Sequence, residues 1–299
     1  MTARYAIGID LGGTHIKAAS VSDTGEVLDR ASGETRDGAS ARPWIETIRG
    51  LVAQLEARRG PRAAGIGVGA PGLAAADGRS IAAMQGRLAG LQGLDWASAL
   101  ETGGPVRVLN DAHAALLAEA WTGAAVGYRD VVLLTLGTGV GGAILSEGRL
   151  LTGASGKAGH WGHVSLDPDG PPSITGMPGS LEGAIGNYTV EERSGGRFRD
   201  TRALVEAHLA GDGEATRAWL LSVHRLACGI ASIGNAVDPE AVLLGGGIAR
   251  AGAALFDPLA QFLAKVEWRP LGHGVRVLPA ALGDLAGAIG AARGVLVNP

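Results

Sequence analysis

Residues 4–10 form a mostly apolar run that stops at Asp10, and the next run, of apolar and small residues, is separated from DTGEVLDR by the turn signal Asp23–Gly25. This pattern predicts three strands in a meander up to about Arg30. Between residues 43 and 58, Trp44, Ile45, Ile48, Leu51, Val52 and Leu55 recur at the spacing of one helical face. A short buried strand follows in AAGIGVGAPG, then a long loop to Leu100, a strand in VRVLND and an Ala-rich helix over 112–121. The second half repeats the order: a strand at 131–136, a glycine turn, and a strand with its own turn in AILSEGRLL. A long loop (153–182) then leads to helices over about 183–237, a strand in AVLLGGG, a helix in IARAGAALFDPLAQFLAKV, a strand in VRVLPAAL and a last helix of small residues. Such duplication predicts two related α/β lobes.

Composition narrows the class. In 299 residues, 46% hydrophobic content supplies a core for each lobe. A net charge of −3 without a basic stripe argues against nucleic acid as the main partner. Fifty glycines, clustered beside apolar runs, indicate tight strand-to-turn junctions. The single cysteine, Cys228, forms no internal disulfide, and Leu226, Ala227 and Ile230 around it predict a core position. The N-terminus has no leader pattern and no segment approaches a membrane span, so a reducing, cytoplasmic location is expected.

Three glycine groups match or nearly match G-x-G-x-x-G: Gly67–Gly72, Gly137–Gly142 and Gly245–Gly247. The dinucleotide fingerprint requires the turn to open a helix, whereas Gly142 runs into AILSEGRL, which reads as a strand. What remains is either a plain glycine hairpin or a turn whose amides wrap phosphate oxygens. The combination favours phosphate. Asp10 ends a strand just before Gly12, Gly13 and Thr14, and Gly137, Thr138 and Gly139 form a second such turn. A polyphosphate held by both needs Mg²⁺, with Asp10 as the carboxylate that holds it through water. Asn110-Asp111 ends a third strand, where Asp111 is either the N-cap of the Ala-rich helix or a catalytic base.

The ordered set AIGIDLGGTHIKAA, VLNDAHAALLAEA, LLTLGTGVGGAIL, GKAGHWGH, GSLE and VLLGGGI resembles the ROK family (repressor, open reading frame, kinase), the glucokinase-like branch of the actin-like ATPases. The resemblance covers nearly the whole chain. It implies two actin-like (ribonuclease H-like) α/β lobes around a nucleotide and sugar cleft, ATP with Mg²⁺ as donor, a sugar hydroxyl as acceptor, and a homodimer. The lobes would be 1–112, with a C-terminal helix at about 285–299 packing back on it, and 113–284. Asp10, Gly12, Gly13, Thr14, Gly137, Thr138 and Gly139 would contact phosphate, Gly245, Gly246 and Gly247 would lie near the nucleoside, and Asp111 would be the base with Asn110 binding sugar.

Three departures stand out against the family pattern. His160 takes the place of the usual Glu in GHWGH, while His163 and Glu182 are retained. Ser173, Thr175 and Ser180 stand where the family carries three zinc-binding cysteines, so no zinc is expected. Arg87, in RLAGLQGLDW, takes the place of a sugar-binding Asn, exchanging a group that donates and accepts for a charged donor. The acceptor expected is therefore a monosaccharide or derivative other than glucose. The DNA-binding repressor branch is not expected, since only nine residues precede Asp10. A sensor descended from a kinase, without catalysis, is the alternative reading.

Overall fold

The computed structural model describes residues 4–60, 63–84 and 86–297. The chain divides into two compact units, the first comprising 1–127, 152–158 and 281–299 and the second 128–151 and 159–280.

In the first unit, β1 (Tyr5–Leu11), β2 (His15–Ser22) and β3 (Val27–Glu34) form the meander; α1 (Arg42–Arg59) follows, then β4 (Ile66–Ala70). The long loop contains β5 (Leu73–Ala74), β6 (Ile81–Ala83) and the short α2 (Trp96–Leu100), which its sequence did not suggest because each is two to five residues long. Then come β7 (Val106–Asn110) and α3 (Asp111–Thr122). The sheet order is β3-β2-β1-β4-β7, with β1, β4 and β7 parallel. Trp44, Ile48, Leu51 and Leu55 of α1 bury against Ile7, Ile9 and Val68 on one side, while Ile45 and Val52 flank the stripe, half-buried.

The C-terminal helix (Ala286–Leu296) covers the other side of the same sheet. Its small residues have a definite cause. A Cβ on Gly8 would fall on the Ala288 carbonyl, one on Gly67 on the Ala291 carbonyl, and one on Gly290 on the Ala114 carbonyl. Gly67 therefore lies inside β4 and serves close helix-on-sheet packing, so the first glycine group is not a phosphate turn. Because α3 packs on this helix, it belongs to the first unit, which ends at Gly127 and not near residue 112. Residues 298 and 299, included in the expected helix, lie outside the described residues.

The second unit opens with β8 (Val131–Leu136), β9 (Val140–Ser146) and β10 (Arg149–Leu150). After them come α4 (Leu181–Ile185), α5 (Val190–Arg193), α6 (Thr201–Leu209), α7 (Gly213–Val237), β11 (Ala241–Gly245), α8 (Ala253–Val266) and β12 (Arg276–Pro279). Its sheet runs β10-β9-β8-β11-β12, the same order and strand directions as the first unit when strands are counted from each meander. The duplication legible in the chain is thus a repeated topology. The helix expected from residue 248 is broken at Gly252, whose φ of 57° ends a 3₁₀ turn before α8 begins.

Trp219, Val223, Leu226 and Ile230 of α7 form the core with Val132, Leu134, Val242 and Leu244. By length and composition α7 could cross a bilayer, but ten of its residues are buried within the protein, as in a core helix. Cys228 on α7 is half-buried with Sγ 4.0 Å from His224 Nε2, so it stands at the margin of the core expected for it.

Candidate active site

In the first unit, parallel pairing brings the ends of β1, β4 and β7 to one sheet edge, since Asp10 opposes Gly69 and Ala70 opposes Asn110. Asp10 lies against Gly287, where a Cβ would come within 2.6 Å of its carboxyl carbon. Burial pushes the Asp10 carboxyl up to about 7; Asp111 and Asp284 add to the rise and Lys17 opposes it. Lys17 is the β2 register partner of Asp10, and its Nζ stands 3.8 Å from Asp284 Oδ1. This edge therefore gathers more carboxylates, from half-buried Asp10 to exposed Asp284, than its own lysine balances.

A divalent cation fits that imbalance. Among the described residues no three His, Cys, Asp or Glu side chains converge as a metal cage. The carboxylate oxygens of Asp10 suit Mg²⁺, which keeps several waters and takes its remaining ligands from phosphates. A consequence for stability follows. The unfolded carboxyl ionises near 3.8 and the folded one near 7, so between these values the folded state holds the extra proton and stability falls as pH rises. Asp10→Asn is expected to stabilise the ligand-free protein at pH 8, by roughly 1–3 kcal/mol or about 2–8 °C in Tm. The same variant is expected to bind Mg·ATP at least about tenfold more weakly, from the loss of a charge-assisted contact. Paired thermal melts and calorimetric titration check both; a variant that melts lower and binds normally contradicts them.

The turn after β1 spends its carbonyls on the protein's own donors. Thr35 Oγ1 donates to Gly12 O at 2.6 Å, Arg87 Nη2 to Gly13 O at 2.7 Å, and the Thr35 amide to Thr14 O at 3.0 Å. Such inward carbonyls suit a loop that offers its amide edge to an anion. Arg87 Nε also lies 3.6 Å from Asp37 Oδ2, and the two line an open cavity of about 520 Å³ with Met84, Leu88 and Gln92. The positive charge of Arg87 is thus partly matched by Asp37 and sits on the turn after β1, an anchorage its loop alignment did not foretell.

Asn110, and not Asp111, caps α3. Its Oδ1 accepts from the amides of Ala112 at 3.0 Å and His113 at 3.1 Å, and its Nδ2 donates to Gly72 O at 2.9 Å. With the capping role filled by Asn110, Asp111 sits in the first helical turn, its Oδ1 accepting from the Ala112 amide at 2.8 Å. A carboxylate there is favoured by the helix dipole.

In the second unit, Gly137–Gly139 joins β8 to β9, and the Gly137 and Thr138 carbonyls accept from the amides of Asn187 and Tyr188. Gly139 leaves room for Glu182, since a Cβ there would stand 2.7 Å from its Oε2. Glu182 lies in the first turn of α4, only 5% exposed, behind the N-cap Ser180. Its Oε1 is 3.6 Å from His163 Nδ1, and this carboxylate chiefly pushes the His163 imidazole up. His160 precedes the 3₁₀ turn Trp161–His163, its ring near-parallel to that of His163 at 6.4 Å between centroids. Gly246, at a φ of 86°, backs onto Leu136, where a Cβ would strike main chain. The turn Gly245–Gly247 therefore lies beside the end of β8 that feeds Gly137. His160, His163, Glu182 and both glycine turns belong to this unit, and Asp10, Gly12–Thr14, Arg87, Asn110 and Asp111 to the other.

The three hydroxyls at the cysteine positions have protein partners. Ser173 Oγ lies 3.0 Å from Thr175 Oγ1, which lies 3.5 Å from His163 Nδ1, and Ser180 Oγ accepts from the Gly183 amide. Neutral hydroxyls do not suit a structural Zn²⁺ site. Purified protein is expected to carry less than about 0.1 zinc per chain and to keep its Tm in strong chelator, because metal and folding are not coupled here. Elemental analysis near one zinc per chain would contradict this.

Lys17, Asp37 and Asp284 were not singled out by motif. Lys17 is seven residues from Asp10 in sequence and reaches it only through antiparallel register, while Asp284 arrives from the far end of the chain.

The ROK family profile matches residues 6–297. The chain is 31% identical to a glucokinase of Halalkalibacterium halodurans, over 97% of this chain and 94% of that protein. It is 32% identical to an N-acetylmannosamine kinase of Citrobacter koseri, over 96% and 97% respectively. Its structure resembles that of a ROK family glucokinase from Streptomyces griseus in complex with glucose and AMPPNP, with a TM-score of 0.80, 28% identity and coverage of 96% of this chain and 98% of that one.

Proposed function

The chain belongs to the ROK family, and from that premise we propose that it is an ATP-dependent sugar kinase, with an acceptor other than glucose as its best substrate. The observation that carries the catalytic part is the shared sheet edge at which Asp111 raises the proton affinity of the half-buried Asp10. One carboxylate there would hold Mg²⁺ through water, and the other takes the proton. Bound Mg²⁺ would supply charge neutralisation for the phosphate oxygens.

The sugar hydroxyl gives its proton to Asp111 as its oxygen bonds to the γ-phosphorus, and the bond from that phosphorus to the bridging oxygen of ADP breaks. Asn110 holds the start of α3 by capping it, which fixes Asp111 at the strand end. The turns Gly12–Thr14 and Gly137–Gly139 cradle phosphates through the amides of Gly13, Thr14, Thr138 and Gly139, those of Gly12 and Gly137 being donated to His15 O and Gly139 O, while Gly245–Gly247 lies near the nucleoside. His160, His163, Glu182 and the remaining amide hydrogen of Asn110 serve the sugar hydroxyls. Arg87, seated on Gly13, supplies positive charge beside the first phosphate turn.

Sugar choice is left open by the likenesses, since glucokinases and N-acetylmannosamine kinases match the chain about equally well. His160 in place of an acidic acceptor favours a non-glucose acceptor. We extend the reading to a cytoplasmic homodimer; the single, half-buried Cys228 suits a reducing compartment. Sugar-dependent release of ADP, measured over hexoses, N-acetylhexosamines, ketoses, polyols and sugar acids, tests the activity and identifies the acceptor.

A further inference from the structure

Glu119 is a carboxylate with no exposed surface, on the last turn of α3, and the chemistry above makes no use of it. Its Oε2 accepts from the Ala124 amide at 2.7 Å and the Ala281 amide at 3.1 Å, and its Oε1 from the Leu282 amide at 2.9 Å. Its own carbonyl accepts from the amides of Gly123 and Ala125, both at 3.0 Å. Gly123 leaves room for it, since a Cβ there would strike the carboxylate.

Those partners sit where the main chain changes unit. The chain leaves the first unit after Gly127, re-enters it for Thr152–Ala158, and enters it for the last time at Ala281. Ala280 still donates to Leu244 O of β11 at 2.9 Å, whereas the very next amide, of Ala281, donates to Glu119. On the first connection, Glu240 Oε2 takes the amides of Arg129 at 2.6 Å and Asp130 at 3.0 Å just after the passage. Between the two clasped stretches lies Gly127, at a φ of 88° and with open space around its Cα. The first and last passages are therefore each confined to a step or two of backbone between segments held by hydrogen bonds.

We propose that Glu119 is a positioning residue for phosphoryl transfer. It binds the first and the last connecting segments to the helix that begins with Asp111, so that backbone motion in these two segments is taken up at Gly127–Tyr128 and Ala280–Ala281 while the base stays fixed on α3. The proposal rests on the kinase reading. A buried carboxylate accepting three amides holds its geometry far more firmly than an amide side chain, which would turn a donor toward at least one of those N–H groups.

The test compares Glu119→Gln with Asp212→Asn, which weakens the N-cap of α7 and touches neither connection. Glu119→Gln is expected to lower kcat at least about tenfold, with KM for ATP and sugar within about threefold, since transition-state positioning and not ground-state binding is lost. Amide exchange is expected to rise at 123–128 and 280–283. Asp212→Asn is expected to lower Tm and keep kcat within about twofold. A Glu119→Gln enzyme with lowered Tm but kcat per folded molecule within twofold of the wild type overturns the proposal. If Glu119→Gln yields no folded protein, Gly127→Ala decides: strain at the positive φ is expected to cost at least about threefold in kcat, and unchanged kcat overturns the proposal. A wild type without sugar-dependent ADP release would instead remove the kinase reading on which it rests.

Discussion

Replacing Asp111 by Asn is expected to lower turnover by about 10²–10⁴, the contribution typical of a general base, while ATP binding and melting temperature stay near wild type. The amide cannot accept the hydroxyl proton, yet it keeps an oxygen for the Ala112 amide that Oδ1 now bonds. Capping of α3 is untouched, because Asn110 supplies it. This separates the two roles that Asp111 could have had from sequence. A helix cap would show as a loss of stability of about 1 kcal/mol with turnover preserved; a base shows as the reverse. Turnover within threefold of wild type would remove Asp111 from the mechanism.

Glucose is expected to be a poor acceptor, with kcat/KM below that of the best sugar by as much as about 10⁴, the discrimination available when a buried polar group is left unpaired. His160 carries this expectation. A carboxylate at that position would accept hydrogen bonds from sugar hydroxyls, whereas an imidazole offers one acceptor at most, and its ring here stands beside that of His163. His163 is itself coupled to the carboxylate of Glu182, so acceptor capacity in this cluster is concentrated on Glu182. Arg87 adds less to the argument than its charge suggests, because Asp37 faces it and Gly13 O holds it. His160→Glu is expected to raise glucose relative to the best acceptor. Glucose emerging as the best substrate of the wild type would show that this substitution does not set specificity.

The repeated strand order and the glycine turns were legible because they depend on short-range pattern: an apolar run ending in Asp10, another ending before Gly137, and glycine-rich turns directly after each. What the pattern concealed is long-range. Gly67 falls in the strand expected of AAGIGVGAPG, but the reason it is glycine is the Ala291 carbonyl more than two hundred residues away. The assignment of α3 to the first unit depends in the same way on packing against Ala286–Leu296. Asn110 and Asp111 are neighbours of similar shape, so which one caps the helix is settled by backbone geometry: Asn110 is extended, with φ −63° and ψ 146°. Lys17 and Glu119 lie within the family-like stretches but were assigned no role there, because one acts through strand register and the other through amides of distant segments.

The central claim is sugar-dependent phosphoryl transfer from ATP, and the most direct measurement of it is ADP release by the purified wild type with Mg²⁺, with and without each sugar of the panel. The account predicts ADP formation that requires one acceptor, in step with the appearance of its phosphate ester, and its loss in Asp111→Asn. Tight binding of ATP and sugar with no ADP formed would contradict it and identify a sensor without catalysis.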